Sequence, residues 1–160
     1  MTMKKGTDLL KDLFDITGKV AIVTGATGGF GSTISMALAM AGAKVMATGR
    51  GEDKLKSLVE EIQKEGGTVA YSAGSPIEHD DVKRVVKETV DTFGRIDILI
   101  TAAGVNKPGL ITDQPLEEWE MIMDANVKGT YLFCKEAGKV MIDQGDGGKV
   151  VLLGVIKREI

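Results

Sequence analysis

Short apolar runs and amphipathic segments alternate along the whole chain. Runs rich in Val, Ile and Ala that end at glycine or a polar residue are typical of strands buried on both faces of a sheet. Five such runs occur: KVAIVTG from Lys19, KVMATG from Lys44, TVAYSA from Thr68, DILITAAG from Asp97 and KVVLL from Lys149. Segments with apolar residues at every third or fourth position separate them, which predicts helices that cover the sheet.

Four helices are predicted between the strands. The first is closed by Gly42, and its predicted buried face consists of Phe30, Ile34, Ala37, Leu38 and Ala41. The third follows residues 75–78, Ser-Pro-Ile-Glu, which have the form of a capping box with proline at the first helical position, and it stops at Gly94. The fourth is long, from about residue 116 to residue 142.

Four strand–helix repeats and a closing strand define the fold class. Parallel strands need crossover connections, so this alternation predicts an α/β fold with a doubly wound parallel sheet of five strands. We expect one domain over residues 15–160, preceded by a polar lead-in over residues 1–14. A ligand of such a sheet binds in the crevice at the carboxyl ends of the strands.

Composition and charge argue against several function classes. Lys and Arg number 20 against 23 Asp and Glu, for a net charge of −3 without a large basic cluster, so we expect no nucleic-acid partner. The uncharged run over residues 20–43 is interrupted by TGATGGFGST, so we expect no membrane partner. A single Cys and a single His predict neither an internal disulfide nor a metal site. The N-terminus has no signal-peptide pattern, and we expect a cytoplasmic protein.

A glycine-rich turn carries the first candidate site. VTGATGGFG, residues 23–31, follows the first strand directly and opens the first helix. Glycines there let the backbone approach a pyrophosphate, while the helix N-terminus offers unpaired N–H groups. A flexible glycine loop without a ligand is the alternative. The predicted dinucleotide-binding residues of this turn are Thr24, Gly25, Thr27, Gly28, Gly29, Phe30 and Gly31.

The spacing of this turn, Thr-Gly-x-x-x-Gly-x-Gly, resembles that of the short-chain dehydrogenase/reductase family. TAAG at residues 101–104 is similar to the family's Asn-Asn-Ala-Gly motif, and NVKG at residues 126–129 to its Asn-Val-x-Gly motif. The resemblance implies a Rossmann-type fold and hydride transfer between a nicotinamide and a small-molecule carbonyl or alcohol. It also implies that Ala102, Ala103 and Gly104 bind the cofactor and that Asn126 is catalytic, as part of a proton relay.

The end of the second strand bears on which cofactor is used. NAD-binding sites hold the adenosine ribose with an acid about 20 residues after the first glycine. Gly49 stands there and Arg50 follows, so a 2′-phosphate would meet a cation. We therefore favour NADP(H), with NAD(H) possible and a merely solvated arginine as the alternative, although Gly28 stands where many NADP-preferring relatives carry a basic residue. The resemblance also places Ser75 where the family has an Asp that bonds adenine.

The remaining catalytic groups implied by the resemblance do not appear in this sequence. The position of the family's Ser falls on Val155, and its Tyr-x-x-x-Lys pair would lie beyond residue 160. We therefore expect an incomplete, truncated domain that is inactive alone. Tyr131 and Lys135 have the Tyr-x-x-x-Lys spacing but precede the fifth strand, so we interpret Tyr131 and Phe133 as packing residues and Lys135 as solvated.

A non-catalytic nucleotide-binding or interaction module is the alternative function. In a five-stranded sheet the last strand would be an edge with unpaired N–H and C=O groups, which can recruit another chain. We expect a homo-oligomer, with Trp119 and Val127 of the long helix either in the core or at the subunit interface. The sequence leaves the substrate and the direction of the reaction open.

Overall fold

The computed structural model describes residues 13–154 and contains one parallel sheet. Its strands are β1 (Val20–Thr24), β2 (Lys44–Gly49), β3 (Thr68–Ala73), β4 (Ile98–Thr101) and β5 (Lys149–Leu152). They lie in the order β3-β2-β1-β4-β5, and every neighbouring pair is parallel. The predicted α/β, doubly wound sheet of five strands is therefore confirmed.

Helices connect successive strands on both faces of the sheet. They are α1 (Gly29–Met40), α2 (Glu52–Lys64), α3 (His79–Phe93), α4 (Leu116–Met123) and α5 (Gly129–Gln144). A π-helical turn over Asp124–Lys128 joins α4 to α5, so the predicted long helix is one helical segment with an irregular turn inside it. Such turns occur mostly within α-helices and frequently at functional sites. The segment ends at Gly145, which takes the left-handed conformation.

Two apolar layers hold the helices to the sheet, because successive strand residues point to opposite faces. On one face, Ile22 and Leu99 pack with the apolar side chains of α3 and α5. On the other face, Val23 and Ile100 pack with those of α1 and α2. All five residues of β1 are buried, as the continuous apolar run predicted. The central strand is thus fixed from both sides, which holds the turn that follows it in place.

The predicted buried face of α1 is wrong in register. Phe30 is 71% exposed, and the buried positions of α1 are Gly31, Ser35 and Ala39. The reason is close packing. Only four residues separate β1 from α1, so the start of the helix lies close to the sheet and only small side chains fit between them. Ile34 and Leu38 of the predicted face are half-buried beside this line, whereas Ala37 and Ala41 are exposed.

The predicted capping box at the start of α3 is also wrong. The helix begins at His79, and residues 75–78 form a turn in which Glu78 N donates to Ser75 O at 3.3 Å. A capping box would have Glu78 accept the Ser75 N–H, but the carboxylate of Asp81 accepts it instead, at 2.8 Å. Pro76 therefore lies in the turn and not in the first turn of the helix.

A buried carboxylate fixes the start of β1 beside β4. Asp97 Oδ2 accepts a hydrogen bond from Val20 N at 2.9 Å, and its carboxylate pairs with Arg95 at 2.7 Å and with Lys19 at 3.5 Å. Burial alone would raise the pKa of Asp97, but the hydrogen bonds from Val20 and Arg95 outweigh it and hold that pKa below its usual value. The ionised carboxylate therefore stabilises the register of the two central strands.

Some of the sequence predictions concern residues that are exposed or lie outside the described range. Trp119 and Val127 are 49% and 53% exposed, so they are not core residues. Of the predicted lead-in, only Leu13 and Phe14 lie within the described range, and both are exposed. Val155, the predicted position of the family's serine, lies outside the described residues.

Candidate cofactor-binding site

A cleft of about 470 Å³ opens at the carboxyl edge of the sheet. It lies over β1 and its neighbours, where the strand order reverses between β1 and β4, the place at which open α/β sheets bind ligands. Nine of the predicted site residues line it, namely Thr24, Gly25, Thr27, Gly28, Arg50, Ser75, Ala102, Ala103 and Gly104. The fold therefore brings the glycine turn together with the ends of β2, β3 and β4.

Gly25 explains why this turn needs glycine. Its φ is +61°, a left-handed conformation that other residues adopt at a cost. A Cβ atom at this position would lie 2.7 Å from the backbone of Ala103 and 2.8 Å from the carbonyl oxygen of Ala102. Thr24 completes the junction, because its hydroxyl accepts a hydrogen bond from Ala103 N at 3.1 Å. The turn after β1 and the loop after β4 are thus in direct backbone contact.

The N-terminus of α1 faces the same region without a side-chain cap. Gly28 is its capping residue, and no side chain of residues 13–154 bonds the first N–H groups of the helix. Gly31 lies beneath the turn, where a Cβ would overlap the carbonyl of Gly25. Gly31, Gly29 and the exposed Phe30 are adjacent to the cleft but do not line it. An uncapped helix start with glycines on either side suits an anion such as a pyrophosphate.

Arg50 and Gly49 form the rim of the cleft at the end of β2. Arg50 is exposed, and within residues 13–154 no carboxylate pairs with it. A Cβ at Gly49 would meet nothing nearer than Thr27 Oγ1 at 3.8 Å, so this position has room for a side chain. Among residues 13–154, the end of β2 therefore presents an exposed cation without a carboxylate partner.

The loop after β3 is held by two side chains of α3 that the sequence analysis did not select. Asp81 accepts the Ser75 N–H, and Arg84 donates to Ala73 O at 2.6 Å and to the Asp81 carboxylate at 2.8 Å. The backbone N–H of Ser75 and the Arg84 guanidinium hold the pKa of Asp81 below its usual value. This pair fixes the loop that forms one wall of the cleft. Its spacing along the helix, three residues, was the available sequence signal.

Asn126 lies in the π-helical turn, and its side chain bonds Val105, a residue that lines the cleft. Val105 N donates to Asn126 Oδ1 at 2.8 Å, and Asn126 Nδ2 donates to Val105 O at 2.9 Å. A Cβ at Gly104 would lie only 3.0 Å from Asn126 Oδ1. The side chain therefore holds the loop after β4 and does not itself line the cleft.

Neither tyrosine of the chain lines the cleft. Tyr131 is 57% exposed, so its prediction as a packing residue is wrong: its position on α5 faces away from the sheet. Phe133, two residues on, is 3% exposed and belongs to both the core and the cleft lining, as its predicted packing role requires. Lys135 is exposed, as predicted. The hydroxyl of Tyr71 donates to Glu52 at 3.2 Å.

Several lining residues were not selected from the sequence. They are Thr48, Gly49, Gly74, Pro76, Ile77, Val105, Met121, Asp124, Ala125 and Phe133. Most are apolar or small, and only the fold brings α4 and the π-helical turn to this edge.

In the part of the chain that the structure describes, no three His, Cys, Asp or Glu side chains are grouped to hold a metal ion. No helix between residues 13 and 154 is both long and apolar enough to cross a membrane.

Comparison with known proteins assigns the family. The sequence pattern described as "short chain dehydrogenase" matches residues 19–157, which is most of the chain. The chain belongs to the short-chain dehydrogenase family. The match includes every element from β1 to β5, so the family's glycine turn, its motif after β4 and its Asn-Val-x-Gly motif all lie within the matched residues.

Relatives of this short-chain dehydrogenase chain are about twice as long. It is 34% identical to an uncharacterized oxidoreductase of Mycobacterium tuberculosis, over 90% of this chain and 53% of that protein. It is 36% identical to a glucose 1-dehydrogenase of Gluconobacter oxydans, over 89% of this chain and 53% of that protein. A crystal structure of a short-chain type dehydrogenase/reductase from Mycobacterium marinum superposes with a TM-score of 0.84 at 37% identity, covering 87% of this chain and 56% of that one. The chain thus spans about half the length of these relatives.

Proposed function

We propose that this chain is the cofactor-binding half of an oxidoreductase that transfers a hydride between a nicotinamide and a small-molecule carbonyl or alcohol. One observation carries the proposal: the cleft lies at the reversal of strand order and is built on Gly25, whose missing side chain allows two loops to meet. The residues present fit a dinucleotide, because the backbone is accessible at the glycine turn and the start of α1 is uncapped.

The roles of individual residues follow from their positions along the cleft. The turn from Gly25 to Gly28 and the first N–H groups of α1 would hold the pyrophosphate. Residues 102–104 would form the wall beside it, and Asn126 would keep that wall in place through Val105. The bound nicotinamide supplies the hydride acceptor or donor. The contribution of this chain is then to bind and orient the cofactor.

NADP(H) is the cofactor that we favour over NAD(H). The rim of the cleft at the end of β2 offers the exposed cation of Arg50, which has no carboxylate partner between residues 13 and 154. Gly49 supplies no carboxylate to bond a free ribose hydroxyl. A 2′-phosphate at this rim gains a charge-assisted partner, whereas the 2′-hydroxyl of NAD(H) gains none.

Substitution of Gly49 tests this preference. Gly49→Asp places a carboxylate beside Arg50 and should weaken NADPH binding about tenfold or more while strengthening NADH binding, because the acid repels the phosphate and accepts from the ribose. Gly49→Ala is the matched control, since a Cβ there meets only ordinary contacts. Calorimetric titration of the variants with both cofactors measures the effect. Unchanged selectivity in Gly49→Asp would contradict the proposal.

We also propose that the isolated chain turns over little or no substrate. The chain contains two tyrosines, Tyr71 and Tyr131, and neither lines the cleft. A tyrosine that donates a proton to the substrate carbonyl would therefore have to come from outside the residues that line this cleft. NADPH-dependent reduction that disappears in Tyr131→Phe would overturn this proposal.

A non-catalytic interaction module is a second candidate function, and one observation favours it. Among residues 13–154, β5 is an edge strand, and all four of its residues are exposed. Its first residue, Lys149, is charged, but Val150, Val151 and Leu152 are apolar, so most of the edge lacks the charges that usually protect such strands. We propose that this edge joins copies of the chain in a homo-oligomer. Both functions include cofactor binding by the isolated chain with little or no turnover, so the observable that separates them is self-association through β5, which the module requires.

A further inference from the structure

Four buried hydroxyl groups lie side by side across the sheet, just below the cleft. Thr101 of β4, Thr24 of β1, Thr48 of β2 and Ser72 of β3 are register partners in turn. Partners in a parallel sheet point to the same face, and here that face carries α3 and α5. Each residue is at most 3% exposed. The row forms a polar layer between the apolar core and the cleft.

The hydroxyls of this row differ in their hydrogen bonds. Thr24 accepts a bond from Ala103 N, and Ser72 accepts one from Arg84 Nη1 at 3.2 Å. Between residues 13 and 154, Thr48 Oγ1 is buried and bonds to nothing. No other hydroxyl of the row within residues 13–154 bonds that of Thr48. Buried polar side chains in folded proteins are nearly always bonded, so this group needs an explanation.

The position of Thr48 supplies that explanation. It lines the cleft and directly precedes Gly49 and Arg50 at the rim. In sheets of this kind the pyrophosphate lies at the start of the first helix and the end of the second strand holds the adenosine half of a dinucleotide. The Thr48 hydroxyl therefore lies on the side of the cleft that would hold the adenosine half.

We propose that the Thr48 hydroxyl bonds a polar atom of the adenosine half of the bound nicotinamide dinucleotide. This inference rests on the proposed function, because it assigns a contact within the same cleft. A hydroxyl both donates and accepts, so it suits a base nitrogen or a ribose oxygen equally well. In the free protein the group lacks a partner, and binding satisfies it. Thr48 is then an affinity determinant for adenosine nucleotides, separate from the charge of Arg50.

Thr48→Val tests the proposal because valine has the same shape and lacks the hydroxyl. Calorimetric titrations of the full chain use NADPH, adenosine 2′,5′-bisphosphate and reduced nicotinamide mononucleotide. The expected result is an affinity loss of roughly five- to tenfold for the first two probes, as for one neutral hydrogen bond, and less than twofold for the third. The melting temperature of the free variant should stay equal or rise, since an unsatisfied buried hydroxyl is removed.

Thr101→Val is the matched control, because Thr101 belongs to the same buried row but does not line the cleft. Its affinities should stay within twofold of the parent. Equal affinities of Thr48→Val and the parent would overturn the inference alone, and an equal loss for all three probes would refute the adenosine assignment. If the parent does not bind NADPH, the proposed function fails as well. Should Thr48→Val not fold, a crystal structure of the parent with NADPH decides, and a Thr48 hydroxyl without an adenosine contact refutes the inference.

Discussion

Asn126 and Val105 hold each other by two hydrogen bonds, although 21 positions separate them in the sequence. The amide side chain matches both the N–H and the C=O of one backbone residue, as a neighbouring strand would. Because Val105 lines the cleft and Asn126 lies in the π-helical turn, the pair ties the loop after β4 to the long helical segment. The shape of the cleft therefore depends on this amide.

Removal of this amide should loosen one wall of the cleft. Asn126→Ala leaves both backbone groups of Val105 without a protein partner, at a cost of about 1–2 kcal/mol in unfolding free energy. We expect faster hydrogen exchange at the Val105 amide and several-fold weaker NADPH binding. Denaturant titration and exchange mass spectrometry measure the two effects.

Two further variants separate the loss of the Val105 hydrogen bonds from a general loss of stability. Asn126→Asp keeps an acceptor for the Val105 N–H but loses the donor, so the Val105 amide should remain protected. Asn106→Ala changes an exposed asparagine in the same loop and should alter neither stability nor exchange. Unchanged exchange at Val105 in Asn126→Ala would show that the loop is held by other contacts.

Gly25 should tolerate no side chain. Gly25→Ala forces alanine into a left-handed backbone and against Ala103, so we expect a loss of about 3 kcal/mol or more in unfolding free energy and loss of cofactor binding. Gly138→Ala, in α5, is the control, because a Cβ there meets nothing and alanine favours the helix by up to about 1 kcal/mol. Thermal denaturation compares the two. A Gly25→Ala protein as stable as its parent would mean that the turn can adopt another conformation.

Asp97 should make stability depend on pH in the acid range. Its pKa is lower in the folded protein than in the unfolded chain, so its stabilisation is complete above the unfolded pKa, roughly 4, and is lost as the pH falls through the lower folded value. At pH 7, Asp97→Asn should cost about 2 kcal/mol because Val20, Arg95 and Lys19 lose a carboxylate. Urea titrations at several pH values measure this difference.

The difference between Asp97→Asn and the parent should shrink as the pH falls below about 4, because a protonated Asp97 resembles asparagine. Asp91→Asn removes an exposed ion pair with Lys87 and should cost no more than about 0.5 kcal/mol at any pH. A parent–variant difference for Asp97 that stays constant down to pH 2 would contradict the role assigned to this carboxylate.

The edge strand β5 should mediate self-association. Val151→Lys places a charge in the middle of the apolar edge, where Val151 is 46% exposed, so the variant should sediment as a smaller species than the parent. Ile142→Lys, at an exposed site on α5, is the control and should leave the assembly unchanged. Analytical ultracentrifugation measures both, and a parent that is monomeric at all concentrations would contradict this proposal.

Periodicity predicted the sheet well, because strands buried on both faces have a distinct hydrophobic pattern. It failed where backbones approach closely. In α1, the largest apolar residue, Phe30, is exposed and the small Gly31 is buried, since the turn leaves no space for a side chain. The pattern of hydrophobic residues carries no information about the volume that is available to a side chain.

The partners of individual hydrogen bonds outside the regular elements were the other feature that the sequence did not predict. Asp81 takes the hydrogen bond that Glu78 would make in a capping box, and only the fold of the loop decides between the two acids. Likewise, the Asn126 motif indicated a functional residue, but its partner Val105 was visible only in the structure. The Thr48 hydroxyl has no partner among residues 13–154, and its place in the row of hydroxyls depends on strand register, which local patterns do not specify.

Calorimetric titration of the 160-residue chain with NADPH and with NADH measures whether the cleft binds a nicotinamide dinucleotide. We predict saturable binding of one dinucleotide per chain, with NADPH bound more tightly because the proposed site would pair its 2′-phosphate with Arg50. The binding should vanish in Gly25→Ala at temperatures where that variant is still folded. If neither cofactor binds at millimolar concentration, or if NADH binds more tightly, the account of this cleft is contradicted.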